Sequence, residues 1–446
     1  MIVVKGKYNE AIVYAVNVEE KTLAQIEDLC NEEIYKNEKI RVMADCHSGQ
    51  DCIVGLSMTV TDKVNPSLVG TDIGCGISAL KFPADTNIDL NLLEEVCKDV
   101  AENTSKQLTT RIANGKTLED IVSELKCIKS ISLSKAYGSF GTVGNGNHFL
   151  EVGRDDNTGE YYLFCHTGSR NLGGQVGKHY IDLAHRTLKK KNHRKEVQKI
   201  IDRLKSEGRD SEISDEIKEF KKSNPIRKYS KGESYLEGKE LEDYLHDMVI
   251  AQEVSKLNRA QILEEIRERV FKVEDIGHIE CIHNYIDVAK DFNGKDKKHI
   301  LRKGSISSNK GEVVLIPINM KDGVVIGIGK GNDEWNASAP HGAGRVLSRA
   351  KAKEELNIED YKKDMKGIHT GCISEETLDE SPRAYKPIED IISCIGDSVD
   401  VKGVIKPMFN YKGGEDFSTK LMLKAMAEKR AKKALKAKQE VDKDEI

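Results

Sequence analysis

The chain has no apolar run approaching the roughly 20 residues that span a bilayer, so a soluble globular protein is the expectation. Its opening stretch, MIVVKGKYNEAIVYAV, lacks the charged, apolar and small-residue sections of a signal peptide, and cytosol is the expected compartment. Net charge is small: 70 basic against 74 acidic residues give -4, so any nucleic-acid partner must be held by a local patch and not by a global positive field. The ten cysteines form no CxxC pair and no dense framework, which argues for free thiols in a reducing compartment. No internal repeat is visible, which argues against a solenoid.

What is present is 446 residues, enough for two or three ordinary domains or one large one. Residues 2–15 suggest entry strands and residues 18–38 a helix. Residues 88–128 read as helical packing, with Leu90, Leu93, Val96 and Val100 at three- and four-residue spacings. A charged insertion at about 186–226 carries a thin apolar stripe and reads as solvated helices. Residues 236–270 read as a helix whose apolar side is broken by Ser255 and Arg259, so part of that side faces something other than core. Short strands are expected at Val313 to Ile316 and Val324 to Ile328, and a helix over Lys351 to Asp360. Residues 414–446 read as a basic helical or disordered tail.

Between these parts, glycine-rich stretches carry potential ligands. Asp72-Ile73-Gly74-Cys75-Gly76 sets a carboxylate and a thiol three residues apart, a mixture that suits manganese, zinc or iron better than magnesium. Alone, an Asp in a glycine turn is usually a turn former and a Cys usually packs. His148, His166, His283 and His341 each sit near glycine, cysteine or arginine, and singly each is more often a satisfied loop histidine than a ligand. Together with Arg170 and Arg345, which offer planar forks for phosphate, they point to metal-assisted phosphoryl chemistry.

DIGCG at 72–76, GNHFLE at 146–151, HTGSRNLG at 166–173, HNY at 283–285, RKG at 302–304 and HGAGRVLSR at 341–349 stand in the order of the RtcB-type RNA ligases, which this chain resembles over about residues 40–413. The resemblance implies an α/β RtcB-like fold, mixed sheets around a central metal and nucleotide pocket with helices outside. It implies a ligase domain over 1–413. It implies a cytoplasmic enzyme that joins RNA 3'-phosphate or 2',3'-cyclic phosphate ends to 5'-hydroxyl ends in tRNA splicing or RNA repair. Two manganese ions and GTP would be required, and an archease-type activator is a candidate partner. On this resemblance Asp72, Cys75, His148, His166 and His283 match the metal ligands, and His341 matches the histidine that becomes guanylylated. Asn147, Glu151, Gly342, Ala343, Gly344, Arg345, Tyr385 and Lys412 match the nucleotide pocket, and Arg170 a phosphate or RNA contact. Asp45 and His47, in an early D-x-H loop, would support the metals from behind, and Asn258-Arg259 would face the site.

The chain also departs from the family. Pro317-Ile318-Asn319-Met320-Lys321 stands where many members read Pro-Gly-Ser-Met-Gly, which bears on nucleotide affinity or base choice. That departure motivates one rival, a dinuclear phosphoesterase acting on RNA ends. The basic tail motivates another, a catalytically weak RNA-binding homologue.

Overall fold

A computed structural model describes residues 1–49, 52–102, 116–223, 234–288 and 299–412. Two sheets dominate. The first has six strands in the order Ile2–Lys5, Glu10–Val13, Ile40–His47, Val54–Val60, His299–Lys303, Asn284–Asp287. Its pairings are antiparallel apart from Glu10–Val13 against Ile40–His47. The second has seven antiparallel strands, Gly277–Ile282, Gly76–Phe82, Tyr161–Thr167, Phe149–Asp155, Val399–Tyr411, Gly323–Gly329 and Val313–Asn319. This is the α/β arrangement of mixed sheets and outer helices that the sequence led us to expect.

The second sheet positions the site through strand alternation, in which successive side chains point to opposite faces. Leu150, Val152, Leu163 and Cys165 pack on one face against Leu93, Val96 and Val100 of the helix Leu90–Glu102 and Ile262, Leu263 and Ile266 of the helix Gly238–Ile266. Phe149, Tyr162 and Phe164 point the other way, into a core shared with Val314, Val324 and Ile405. His166 and Glu151 are on that second face by the same period of two. Cys165, between Phe164 and His166, is a packing thiol for this reason.

The expected strands at 313–316 and 324–328 extend to Val313–Asn319 and Gly323–Gly329. The expected helix over 351–360 is two helices, Arg349–Glu355 and Ile358–Asp364, because Asn357 caps the second by accepting from the Asp360 amide. The chain from Arg170 to Ser206 is one continuous helix, so the charged insertion grows directly out of the segment that carries His166. Residues 224–226 of that insertion and the tail 414–446 lie outside the described residues. Among the described residues no helix is long and apolar enough to cross a membrane.

Candidate metal centre and adjoining pocket

The turn Asp72–Gly74 enters the strand Gly76–Phe82 and is stitched to the His283 segment by backbone bonds. Gly74 N–H donates to the Asn284 carbonyl at 2.8 Å and His283 N–H to the Cys75 carbonyl at 2.9 Å. Gly304 N–H donates in turn to the His283 carbonyl at 2.8 Å, which ties the RKG turn to the same place. These bonds give DIGCG, HNY and RKG a physical reason to travel together.

The side chains then converge. Cys75 Sγ is 3.4 Å from His148 Nε2 and 3.5 Å from His166 Nε2, and His166 Nε2 is 3.0 Å from His283 Nε2. Asp72 Oδ2 is 3.5 Å from His148 Nε2. Two groups of candidate ligands result, Cys75–His166–His283 and Asp72–Cys75–His148, and they share the thiol. Gly168 permits this: a Cβ there would lie 2.2 Å from Asp72 Oδ1.

The donors suit a cation. The Val143 carbonyl lies 2.9 Å from His148 Nδ1, which places the proton on Nδ1 and turns the Nε2 lone pair toward Cys75; Arg170 Nη1, at 3.3 Å, is the poorer partner. Burial pushes the His166 and His283 imidazoles well below their ordinary pKa, so both are neutral. Their ring nitrogens nevertheless face each other and a thiol that burial, and then Asp72, push far upward when no ion is present. Neutral nitrogens, a sulfur and a carboxylate aimed at common points are the donor set of a soft to borderline divalent ion.

His341 stands against this cluster, its ring 4.5 Å from that of His283. Asp45, expected as a support behind the metals, places its Oδ2 against the His341 loop, where it accepts from His341, at 2.6 Å from Nδ1 and 3.1 Å from the backbone N, and from Gly342 N at 3.2 Å. The cause is strand direction, since Asp45 projects from Ile40–His47 toward the His341 loop. Lys386 Nζ fixes that strand by donating to the carbonyls of Ala44 and Cys46 at 2.9 and 3.0 Å. His47 also lies on this side, with Nδ1 3.0 Å from the Asp45 carbonyl, and burial lowers its imidazole to about 4.

Gly344 is required where the loop crosses the strand. Its φ is +73° and a Cβ would meet the Asp45 carbonyl oxygen at 2.1 Å. Gly344→Ala is expected to cost at least about 1–2 kcal/mol from the left-handed backbone alone, and to displace Asp45. Thermal denaturation should show a lowered midpoint, and any chemistry at His341 should slow beyond what the lost stability explains.

A cavity of 330 Å³ opens beside the cluster, with Asp72, His166, His283 and His341 in its wall. Asn147, Glu151, Gly342, Ala343, Gly344, Arg345, Tyr385 and Lys412 line it as well. Cys75 and His148 are buried behind the wall, and Arg170 also lies outside it, with Nε donating to Thr142 Oγ1 at 3.2 Å. The 317–321 segment forms part of the lining through Pro317 to Met320. Asn319 Oδ1 accepts from the amides of Lys321 and Asp322, both at 2.9 Å, and Met320 Sδ takes the Tyr361 hydroxyl at 3.0 Å, so the segment with its altered Asn319 builds an ordered wall.

Glu380, in the DESPRAYK stretch but given no role from sequence, organises the cations of the pocket. It accepts from Lys412 Nζ, from Tyr385 OH at 2.7 Å, from Arg349 Nη1 at 2.6 Å and from Arg345 Nη1 at 3.4 Å. Burial opposes its charge, but Lys412 and Arg349 hold the carboxyl down to about 2. Lys303, of the RKG motif, also lines the cavity unassigned from sequence. Motif membership was the available signal for Lys303. Glu151 is the opposite case: burial pushes it up to about 8 against the pull of Lys412, and its Oε1 finds no hydrogen-bond partner among the described residues.

The sequence model of the family described as tRNA-splicing ligase RtcB matches residues 25–139 and 122–413. An RNA-splicing ligase RtcB of Escherichia coli K12 is 27% identical over 416 residues, covering 85% of this chain and 91% of the relative. A tRNA-splicing ligase RtcB of Aeropyrum pernix is 25% identical, covering 85% and 90%, and one of Methanococcus maripaludis 26%, covering 83% and 87%. With matches of this extent over the segments that build the cluster and the cavity, the chain belongs to the tRNA-splicing ligase RtcB family.

Proposed function

We propose that this protein is an RNA ligase that uses GTP and manganese to join RNA 3'-phosphate or 2',3'-cyclic phosphate ends to 5'-hydroxyl ends, with His341 as the guanylylated residue. One observation carries the reading: Asp45 holds His341 by Nδ1 at 2.6 Å, which leaves Nε2 as the free nitrogen of a ring beside the candidate metal ligands.

Asp72, Cys75, His148, His166 and His283 would hold the ions, which when bound supply positive charge that offsets phosphate oxygens. His341 Nε2 attacks the α-phosphorus of GTP with its lone pair as the bond to pyrophosphate breaks, and Asp45 stabilises the proton that stays on Nδ1. A 2',3'-cyclic end is first opened by water to a 3'-phosphate; an oxygen of that phosphate takes the GMP as the phosphorus–Nε2 bond to His341 breaks, and the 5'-hydroxyl oxygen of the second RNA, losing its proton to solvent, attacks the 3'-phosphorus and displaces GMP. Arg345 and Lys412 are the cations suited to phosphate oxygens or base carbonyls in the cavity, with Glu380 keeping them in place. The same reading treats residues 1–413 as the ligase unit, the cytoplasm as its location, and an archease-type activator as a partner.

The test is incubation of the protein with manganese and GTP labelled at the α-phosphate, ATP in parallel, followed by denaturing electrophoresis. Covalent label from GTP supports the reading. Cyclic-phosphate hydrolysis without label, with manganese shown to be bound, would transfer it to the phosphoesterase suggested by the altered 317–321 segment.

Glu151 adds a pH dependence. A guanine edge offers N–H donors, so it is matched by a carboxylate and not by the protonated acid. With the group pushed up to about 8, it is neutral below that pH and ionised above it. GTP affinity is therefore expected to rise with pH, by at most about tenfold per unit, up to pH 8 and then level off. Equilibrium dialysis from pH 6.5 to 8.5 checks this, and Glu151→Gln should flatten the profile.

A further inference from the structure

The helix Gly238–Ile266 is apolar where it meets the sheet, with one interruption. Ser255, Asn258 and Arg259, at three- and four-residue spacings, are all fully buried on that side. A buried guanidinium needs every donor satisfied, and the acceptors that Arg259 finds are not a random sample of the interior. Nη1 donates to the Thr167 carbonyl at 2.7 Å, the Gly74 carbonyl at 3.1 Å and Ser255 Oγ at 2.7 Å. Nε donates to Ser78 Oγ at 2.9 Å and Glu280 Oε1 at 3.0 Å, and Nη2 donates to Glu280 Oε1 as well.

Apart from Ser255, on the same helix, each acceptor belongs to a segment that leads to or from a candidate ligand, Ser78 being on the strand Gly76–Phe82 that follows Cys75. Gly74 precedes Cys75, Thr167 follows His166, and Glu280 is on the strand Gly277–Ile282 that delivers His283. Ser255 Oγ makes a second bond to the Gly74 carbonyl at 2.6 Å. Asn258 reaches the remaining segment: it accepts from Gly141 N at 2.7 Å and donates to the Thr142 carbonyl at 3.2 Å, beside Val143, whose carbonyl holds His148 Nδ1.

We propose that Arg259 is a positioning residue for the metal centre, a planar fork that clamps the Cys75, His166 and His283 segments to one helix face, with Ser255 and Asn258 extending the clamp to His148. It touches neither substrate nor ion and acts through the backbone of the ligand loops. The proposal rests on the reading of the cluster as a metal site. A lysine cannot replace it, because an ammonium has no planar fork to span carbonyls on two loops and a carboxylate on a third segment.

The test is manganese binding by the purified full chain, followed through the electron paramagnetic resonance of the free ion, together with circular dichroism and the melting midpoint of the metal-free protein. Arg259→Lys is expected to fold and to bind manganese about 10–100-fold more weakly, with excess manganese restoring guanylylation toward the parent level. A merely structural role would lower the midpoint and leave the affinity of the folded protein unchanged, and that result overturns the proposal. If Arg259→Lys does not fold, Ser255→Ala decides: a weakening of about tenfold, the lower end of what loss of an outer contact to a metal ligand costs, supports the clamp, and parental affinity overturns it. A parent chain that binds no manganese refutes the metal reading itself, which distinguishes that failure from failure of the clamp.

Discussion

His341→Ala is expected to abolish covalent guanylate label altogether, while leaving the protein folded and its manganese content unchanged. The expectation follows from the arrangement of the ring. Asp45 Oδ2 engages Nδ1 and also the backbone amides of His341 and Gly342, so ring and loop are fixed by one buried carboxylate. The side chain is partly open to the cavity and is in neither candidate ligand group, so its removal takes away a nucleophile without taking away a donor. Asp45→Asn makes the complementary case. An amide of the same shape cannot stabilise the proton on Nδ1 as a carboxylate does, and labelling should slow by about 10²–10⁴-fold, the scale seen when the orienting carboxylate of a catalytic histidine is lost. Gel detection of labelled protein over time checks both. Label on His341→Ala would remove the histidine from the mechanism.

Much of this site was legible in the sequence because its ligands sit beside glycines in short motifs. A turn such as Asp72–Gly76 has few conformations, and strand alternation turns His166 and Glu151 toward one face once the strands are recognised. What the sequence hid is what depends on long-range direction. Asp45 and His341 are 296 residues apart, and only the crossing of a strand by a loop makes them partners. Arg259 appeared as a polar flaw in an apolar helix face, which indicated that something lay opposite but not which loops. Glu380 was visible as one acid among many, and its role comes from Lys412, Arg345 and Arg349 arriving from separate elements. The helix from Arg170 to Ser206 runs from a glycine-rich start into the charged insertion, so the change of composition near residue 186 marks a change of environment and not the end of an element.

Cys75→Ala is expected to remove tight binding of both ions, where Asp72→Ala and His283→Ala each weaken chiefly one. The reason is topological. Cys75 is the member common to both groups of candidate ligands, while Asp72 and His283 belong to one each. Its sulfur, 3.4 and 3.5 Å from His148 Nε2 and His166 Nε2, would as a thiolate supply one negative charge to both groups, which would offset the repulsion between two bound cations. Alanine leaves the turn intact, since the backbone bonds of Gly74 and His283 do not involve the thiol. The fold should therefore survive, and metal analysis after desalting should fall from two ions per chain toward none. Guanylylation should fall by about 10²–10³-fold, the equivalent of the several kcal/mol that a bound ion contributes to charge stabilisation. Retention of one tightly held ion in Cys75→Ala would mean that the two sites are independent and that the thiol serves only one of them.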